Sequence, residues 1–257
     1  MRFSPKVLTV LITALVTPAL AHADEDASRL IERHLEVRGD SSTEAPFQAL
    51  IRKGTYSEGR FQAGLTWTRS QQNGLHEERH WTHLGRKHNE VRAHNGEITW
   101  SQAVAPQTKR PATLTGDSKA QFLSVGWMVT DIAFPLRQAL SGEWETAYID
   151  DRTIRNRSAA WVEIESNDSI QMTYIFDLES GLILAIEMPF RFAGTLQSIL
   201  AVPVGISRIE GGIIESGFDF YIDGQKFRSL RFDENIANKV DREPTFDPPH
   251  IKEFWLR

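Results

Sequence analysis

The 257-residue chain contains no cysteine, which excludes disulfide staples, thiolate metal sites and a cysteine nucleophile. It has no apolar run of the about 20 residues that a membrane-spanning helix needs. Cationic excess is also missing, since 29 Lys and Arg face 34 Asp and Glu for a formal net charge of −5. A nucleic-acid partner is therefore not expected, because phosphate binding needs a basic face. Several chemistries lack their motifs: there is no HExxH, no Gly-x-Ser-x-Gly elbow, no P-loop and no GxGxxG after a strand. No repeat with a period of 20 to 50 residues suggests a propeller or solenoid.

What is present begins with residues 1–23, which read as a cleavable export signal. Arg2 and Lys6 form a basic start, Val7 to Val16 is apolar apart from two threonines, Pro18 breaks the run, and Ala21-His22-Ala23 supplies a small-x-small cleavage site. The expected mature chain, residues 24–257, is one domain outside the cytoplasm, large enough to bury a core. All 34 acids lie beyond the cut, so loss of Arg2 and Lys6 takes the formal charge from −5 to −7. Without a cysteine after the cut no acyl anchor can be attached, so a free exported protein is expected.

An amphipathic helix is predicted over about 27–38, with Ala27, Leu30, Ile31, His34 and Leu35 on one stripe and Gly39 as its cap. Strands follow at 47–56, 61–69, 74–84, 86–93 and 97–104, broken by Gly59, Asn73-Gly74 and Asn95-Gly96. Gly116-Asp117-Ser118 opens a helix through Phe122, Leu123 and Val125 toward Thr130, and a short helical piece follows Pro135. Further strands are read at 144–150, 159–166, 169–178, 181–190, 204–214, 216–223 and 225–233, with Asp223-Gly224 as a two-residue hairpin turn. This is a mainly β, α+β chain: a large curved antiparallel sheet or open barrel with one leading helix and a central helical group.

Alternation gathers large apolar side chains on one face: Leu65 and Trp67; Met172, Tyr174 and Phe176; Leu182, Leu184, Ile186 and Met188; Phe218, Phe220 and Ile222. Two readings fit. One is an ordinary sandwich or barrel core. The other is an apolar cavity lined by Leu65, Trp67, Met172, Tyr174, Phe176, Leu184 and Ile186, with Phe122, Trp127 and Met128 as its lid. Pliable methionine and broad aromatic surfaces suit a site that accepts acyl chains.

The order of several short segments then carries a resemblance. Leu35-Glu36-Val37-Arg38-Gly39 ends the leading helix, and Ile51-Arg52-Lys53-Gly54-Thr55-Tyr56 marks the first strand. Asn95-Gly96-Glu97-Ile98-Thr99-Trp100 and Asp131-Ile132-Ala133-Phe134-Pro135-Leu136 follow, and Asn235-Ile236-Ala237-Asn238-Lys239-Val240-Asp241 with Phe246-Asp247-Pro248-Pro249 closes the series. In this order the chain resembles the outer-membrane lipoprotein-sorting superfamily of LolA-like and LolB-like proteins. The resemblance implies an incomplete antiparallel β-barrel of about 11–12 strands under a helical lid. It also implies a carrier without catalysis, cofactor or metal. The partners it implies are the acyl chains of a lipoprotein or other lipid, an inner-membrane donor and an outer-membrane acceptor, for a monomer that does not span the membrane. A lipid-responsive envelope sensor would share that fold.

One feature competes. His76, His80, His83, His88 and His94 fall within 19 residues, and adjacent hairpin strands could bring some of them together across the ladder as metal ligands. That would suit a secreted metal-dependent hydrolase; the alternative is a solvated histidine-rich hairpin.

Overall fold

The structure is a computed structural model and describes residues 26–40, 47–70, 74–154, 156–166, 170–192, 195–209, 212–238 and 246–249. The expected export signal lies outside these residues. Helix α1 (residues 26–38) buries Ala27, Ile31, His34 and Leu35 of the stripe expected from its period and leaves its fifth member, Leu30, half-buried. Gly39, at φ +74°, ends it with two backbone bonds turning back into the last turn.

The first half of the sheet comprises β1 (Leu50–Glu58), β2 (Phe61–Arg69), β3 (Leu75–His83), β4 (Arg86–His94), β5 (Thr99–Ala105) and the two-residue β6 (Ala112–Thr113). Helices α2 (Gly116–Thr130) and α3 (Phe134–Leu140) come next, with Pro135 in the first turn of α3, where its missing N–H costs nothing. The second half comprises β7 (Glu145–Ile154), β8 (Arg157–Glu165), β9 (Gln171–Asp177), β10 (Ile183–Phe192), β11 (Thr195–Pro203), β14 (Gly217–Ile222) and β15 (Gln225–Ala237). Between β11 and β14 the chain leaves the sheet as a separate ribbon, β12 (Ile206–Ile209) and β13 (Gly212–Glu215).

Thirteen strands form one antiparallel sheet in the order β6-β5-β4-β3-β2-β1-β15-β14-β11-β10-β9-β8-β7. The chain builds one edge, crosses through α2 and α3 to the opposite edge, and returns until β15 pairs with β1 at the centre. Nothing pairs β6 with β7, so the sheet curls without closing. The Asp223-Gly224 turn behaves as read: both residues take positive φ (+49° and +74°), which suits the twist of a two-residue hairpin.

Three expectations change. Residues 195–203 form a full strand, β11, between β10 and β14, where none was expected. Residues 204–214, read as one strand, hold most of the β12–β13 ribbon instead. Leu184 leaves the apolar face because β10 bulges: Ile183 pairs with Phe176, but Ala185 pairs with Ile175 and Ile186 with Tyr174. The extra residue turns Leu184 onto the outer face, against Trp161, Ile175 and Ala185.

Candidate ligand site beneath the central helix

From Phe122 to Thr130 every residue of α2 except Val125 is buried. A stretch that is apolar nearly all round must be enclosed, and α2 packs against β1, β2 and β3 on one side and β10 on the other. It therefore lies inside the curl of the sheet. Phe122 stacks on Trp67 at 5.4 Å. Gly126 permits the close seat, since a Cβ there would stand 2.6 Å from Leu75 Cδ1 and 3.1 Å from Trp67.

Nine of the ten residues expected to line a cavity or its lid, all but Leu184, join one buried cluster: Leu65, Trp67, Phe122, Trp127, Met128, Met172, Tyr174, Phe176 and Ile186. In this conformation α2 fills the interior with its own side chains. Tyr174 donates to Ile132 O at 3.2 Å. Complete burial pushes its phenol well above the usual range, which keeps it neutral.

The open volume lies at the edge of this core. A cleft of about 520 Å³ is lined by Leu123, Trp127, Phe134, Trp144 and Ile170, with His94, Glu143, Ser166 and Gly142 completing it; pockets of about 300–1,000 Å³ suit small ligands. His94 ends β4, Ser166 follows β8 and Ile170 precedes β9, so both wings of the sheet border one opening. Its wall is an aromatic series, with Trp127 stacked on Phe134 at 4.0 Å and Phe134 edge-on to Trp144 at 6.0 Å. Of the ten expected residues, Trp127 lines this cleft. The sequence reading missed Leu123, Phe134, Trp144 and Ile170, although Leu123 and Phe134 sit in the same greasy segment and carried the signal.

Beyond the C-terminal end of α2 the core turns ionic. Asp131 Oδ2 accepts from Arg69 at 2.6 Å and from Arg137. Arg52, fully buried, donates to Val129 O and Glu215 O and, at 2.9 Å, to Asn235, with its guanidinium 3.8 Å above the Phe232 ring. Arg38 pairs with Glu215 and, at 2.9 Å, with Asp40. Cations at a helix C-terminus oppose its partial negative charge. Here they tie the helix end to β1, β2, α1 and the ribbon. Arg52 and Arg69 went unread as core because charge usually signals solvent, yet both alternate in register with Leu65 and Trp67.

The five histidines do not gather into one group, although His83 and His88 meet edge-on at 6.3 Å. His76 meets the Phe246 ring at 6.3 Å, His88 stacks on Trp81 at 5.2 Å, and His94 bonds Thr99 at 3.0 Å. Among the described residues no group of three or more His, Asp or Glu is placed to hold a metal ion. No helix among them is long and apolar enough to cross a membrane.

By sequence the chain matches no family model and no curated protein. Solved structures do match. A LolA superfamily protein from Nitrosomonas europaea aligns at TM-score 0.52 with 9% identity, covering 83% of this chain and 94% of that one. A putative outer membrane lipoprotein-sorting protein domain from Vibrio parahaemolyticus aligns at TM-score 0.54 with 11% identity, covering 84% and 95%. Likeness at this identity speaks to architecture. The unclosed sheet curled around a buried helix is a LolA-like fold.

Proposed function

We propose that this protein is a periplasmic, non-enzymatic carrier that takes up the acyl chain of a lipoprotein or another lipid, with α2 and α3 as its lid. The aromatic cleft supports this reading: both wings of the sheet border it, and it adjoins an apolar interior that α2 occupies. Removing each methylene from water yields about 0.8 kcal/mol, so one long chain supplies ample binding energy without polar recognition. In this reading the protein works as a single-domain monomer after export, receives its cargo from an inner-membrane donor and passes it to an outer-membrane acceptor.

A fluorescent fatty-acyl probe tests the proposal. Saturable uptake of one probe per chain is expected, with the Trp127 and Trp144 emission quenched. The Trp144→Glu change at the half-buried rim should weaken it at least tenfold, about 1.4 kcal/mol. A wild-type protein that takes up no probe would sink the carrier reading.

A further inference from the structure

We infer that the convex face of β1 to β4 carries a binding site for a phosphate group, independent of the apolar interior on the opposite face. A second cleft, of about 460 Å³, lies there, lined by Thr55, Gln62, Gly64, His80, Thr82 and Lys87 among others. Register places these residues together: Thr55 pairs with Gly64, Gly64 with His80, and Thr82 with Lys87. They alternate with Ala63 and Leu65, whose side chains enter the core.

The floor of the cleft depends on Gly64. A Cβ at that position would stand 2.1 Å from His80 Nε2 and 2.3 Å from Cε1, so only glycine lets the imidazole lie across the strand. Glycine inside a strand weakens it relative to alanine, and it often marks the close approach of a ligand or another chain segment.

The polar groups above that floor are unspent. The side chains of Thr55, Gln62, His80, Thr82 and Lys87 have no hydrogen bond or ion pair to any described residue, while the neighbouring charges on this face are engaged. Glu78 accepts from Asn89 at 2.7 Å, Glu234 holds Lys53 at 3.1 Å, and Asp219 holds Arg231 at 2.5 Å. No carboxylate lines the cleft. Two hydroxyls, a carboxamide, an imidazole and an ammonium make a donor-rich, cationic set. Lysine binds phosphate as a point charge, and several separate donors suit the tetrahedrally spread free oxygens of a phosphate mono- or diester.

Titration followed by backbone amide NMR tests this, using inorganic phosphate, glycerol 1-phosphate, and phosphatidylcholine vesicles with and without phosphatidylglycerol. The expected result is a set of shifts confined to residues 55, 62–64, 80–82 and 87. Binding should weaken at least about fivefold in Lys87→Ala and stay unchanged in Lys53→Ala, whose exposed ammonium on the same face is already paired. Binding of the soluble phosphates identifies a free anion as the source. Binding only of the phosphatidylglycerol vesicles, still dependent on Lys87, identifies a lipid head group. Shifts elsewhere, equal effects of the two lysine changes, or no binding of any probe overturns the site.

Discussion

His34 stays uncharged in the folded chain. Its ring is buried in α1, where the Nδ1 atom lies 3.0 Å from Gly181 O, a group that only accepts, so Nδ1 carries the hydrogen. Its Nε2 meets no partner among the described residues. Burial first, and then the nearby Arg38 cation, push its pKa from 6.5 down to about 3. The unfolded chain therefore takes a proton near pH 6.5 that the folded chain refuses until about pH 3. The contribution of His34 to stability is complete above pH 6.5 and is lost progressively as the pH falls toward 3, by about 2 kcal/mol at pH 5. His76, lowered mainly by burial, acts in the same direction. Urea midpoints at pH 7.5 and pH 5 should differ accordingly, and His34→Gln, which can still donate to Gly181, should remove most of the difference. A His34→Gln protein with the wild-type pH dependence would show that the proton binds elsewhere.

At the scale of elements, the end of α2 is held by charge inside an apolar core. Asp131 is the shared acceptor of Arg69 and Arg137, and all three are nearly inaccessible to water. Replacing one member of such a buried group leaves uncompensated cations and costs about 3–5 kcal/mol. Asp131→Asn should lower unfolding stability by that amount in urea titrations, whereas Glu234→Gln, at an exposed pair with Lys53, should change it by less than about 1 kcal/mol. Equal effects would mean that the buried group is not what fixes the helix end. The same elements show what a linear pattern reveals. Alternation in β2 and β9 made Leu65, Trp67, Met172, Tyr174 and Phe176 legible as one face, and the long uncharged stretch made α2 legible as an apolar helical lid but not as a helix enclosed within the curl of the sheet. Leu184 was misplaced because a bulge adds a residue without any mark in an apolar run. Strand β11 was missed because Thr195 to Pro203 has no clean alternation and ends in proline. Arg52 and Arg69 were missed because only pairing with distant residues explains a buried cation.

For the whole molecule, the question is where an acyl chain goes when the interior is already full. The core beneath Trp127 is packed with side chains of α2, α1 and both wings of the sheet, and interiors packed this way hold few voids larger than a water molecule. A ligand that stays in the cleft at the seam would add contacts to Leu123, Trp127 and Phe134 and make α2 more rigid. A ligand that enters the interior must take the place of α2 on the side chains of Trp67 and Leu75, and the helix is then released. The carrier reading requires the second outcome. Any ligand that binds only the folded state raises its stability, by about 2.7 kcal/mol at a hundredfold excess over Kd. The expected result combines two opposite signs: a higher melting temperature with bound long-chain probe, together with faster hydrogen exchange at amides 116–130 and unchanged exchange in β1, β2 and β15. Increased protection of α2 on binding would place the ligand in the surface cleft alone. The apolar interior would then be a folding core that never opens, and carriage of an enclosed chain would have no room to occur.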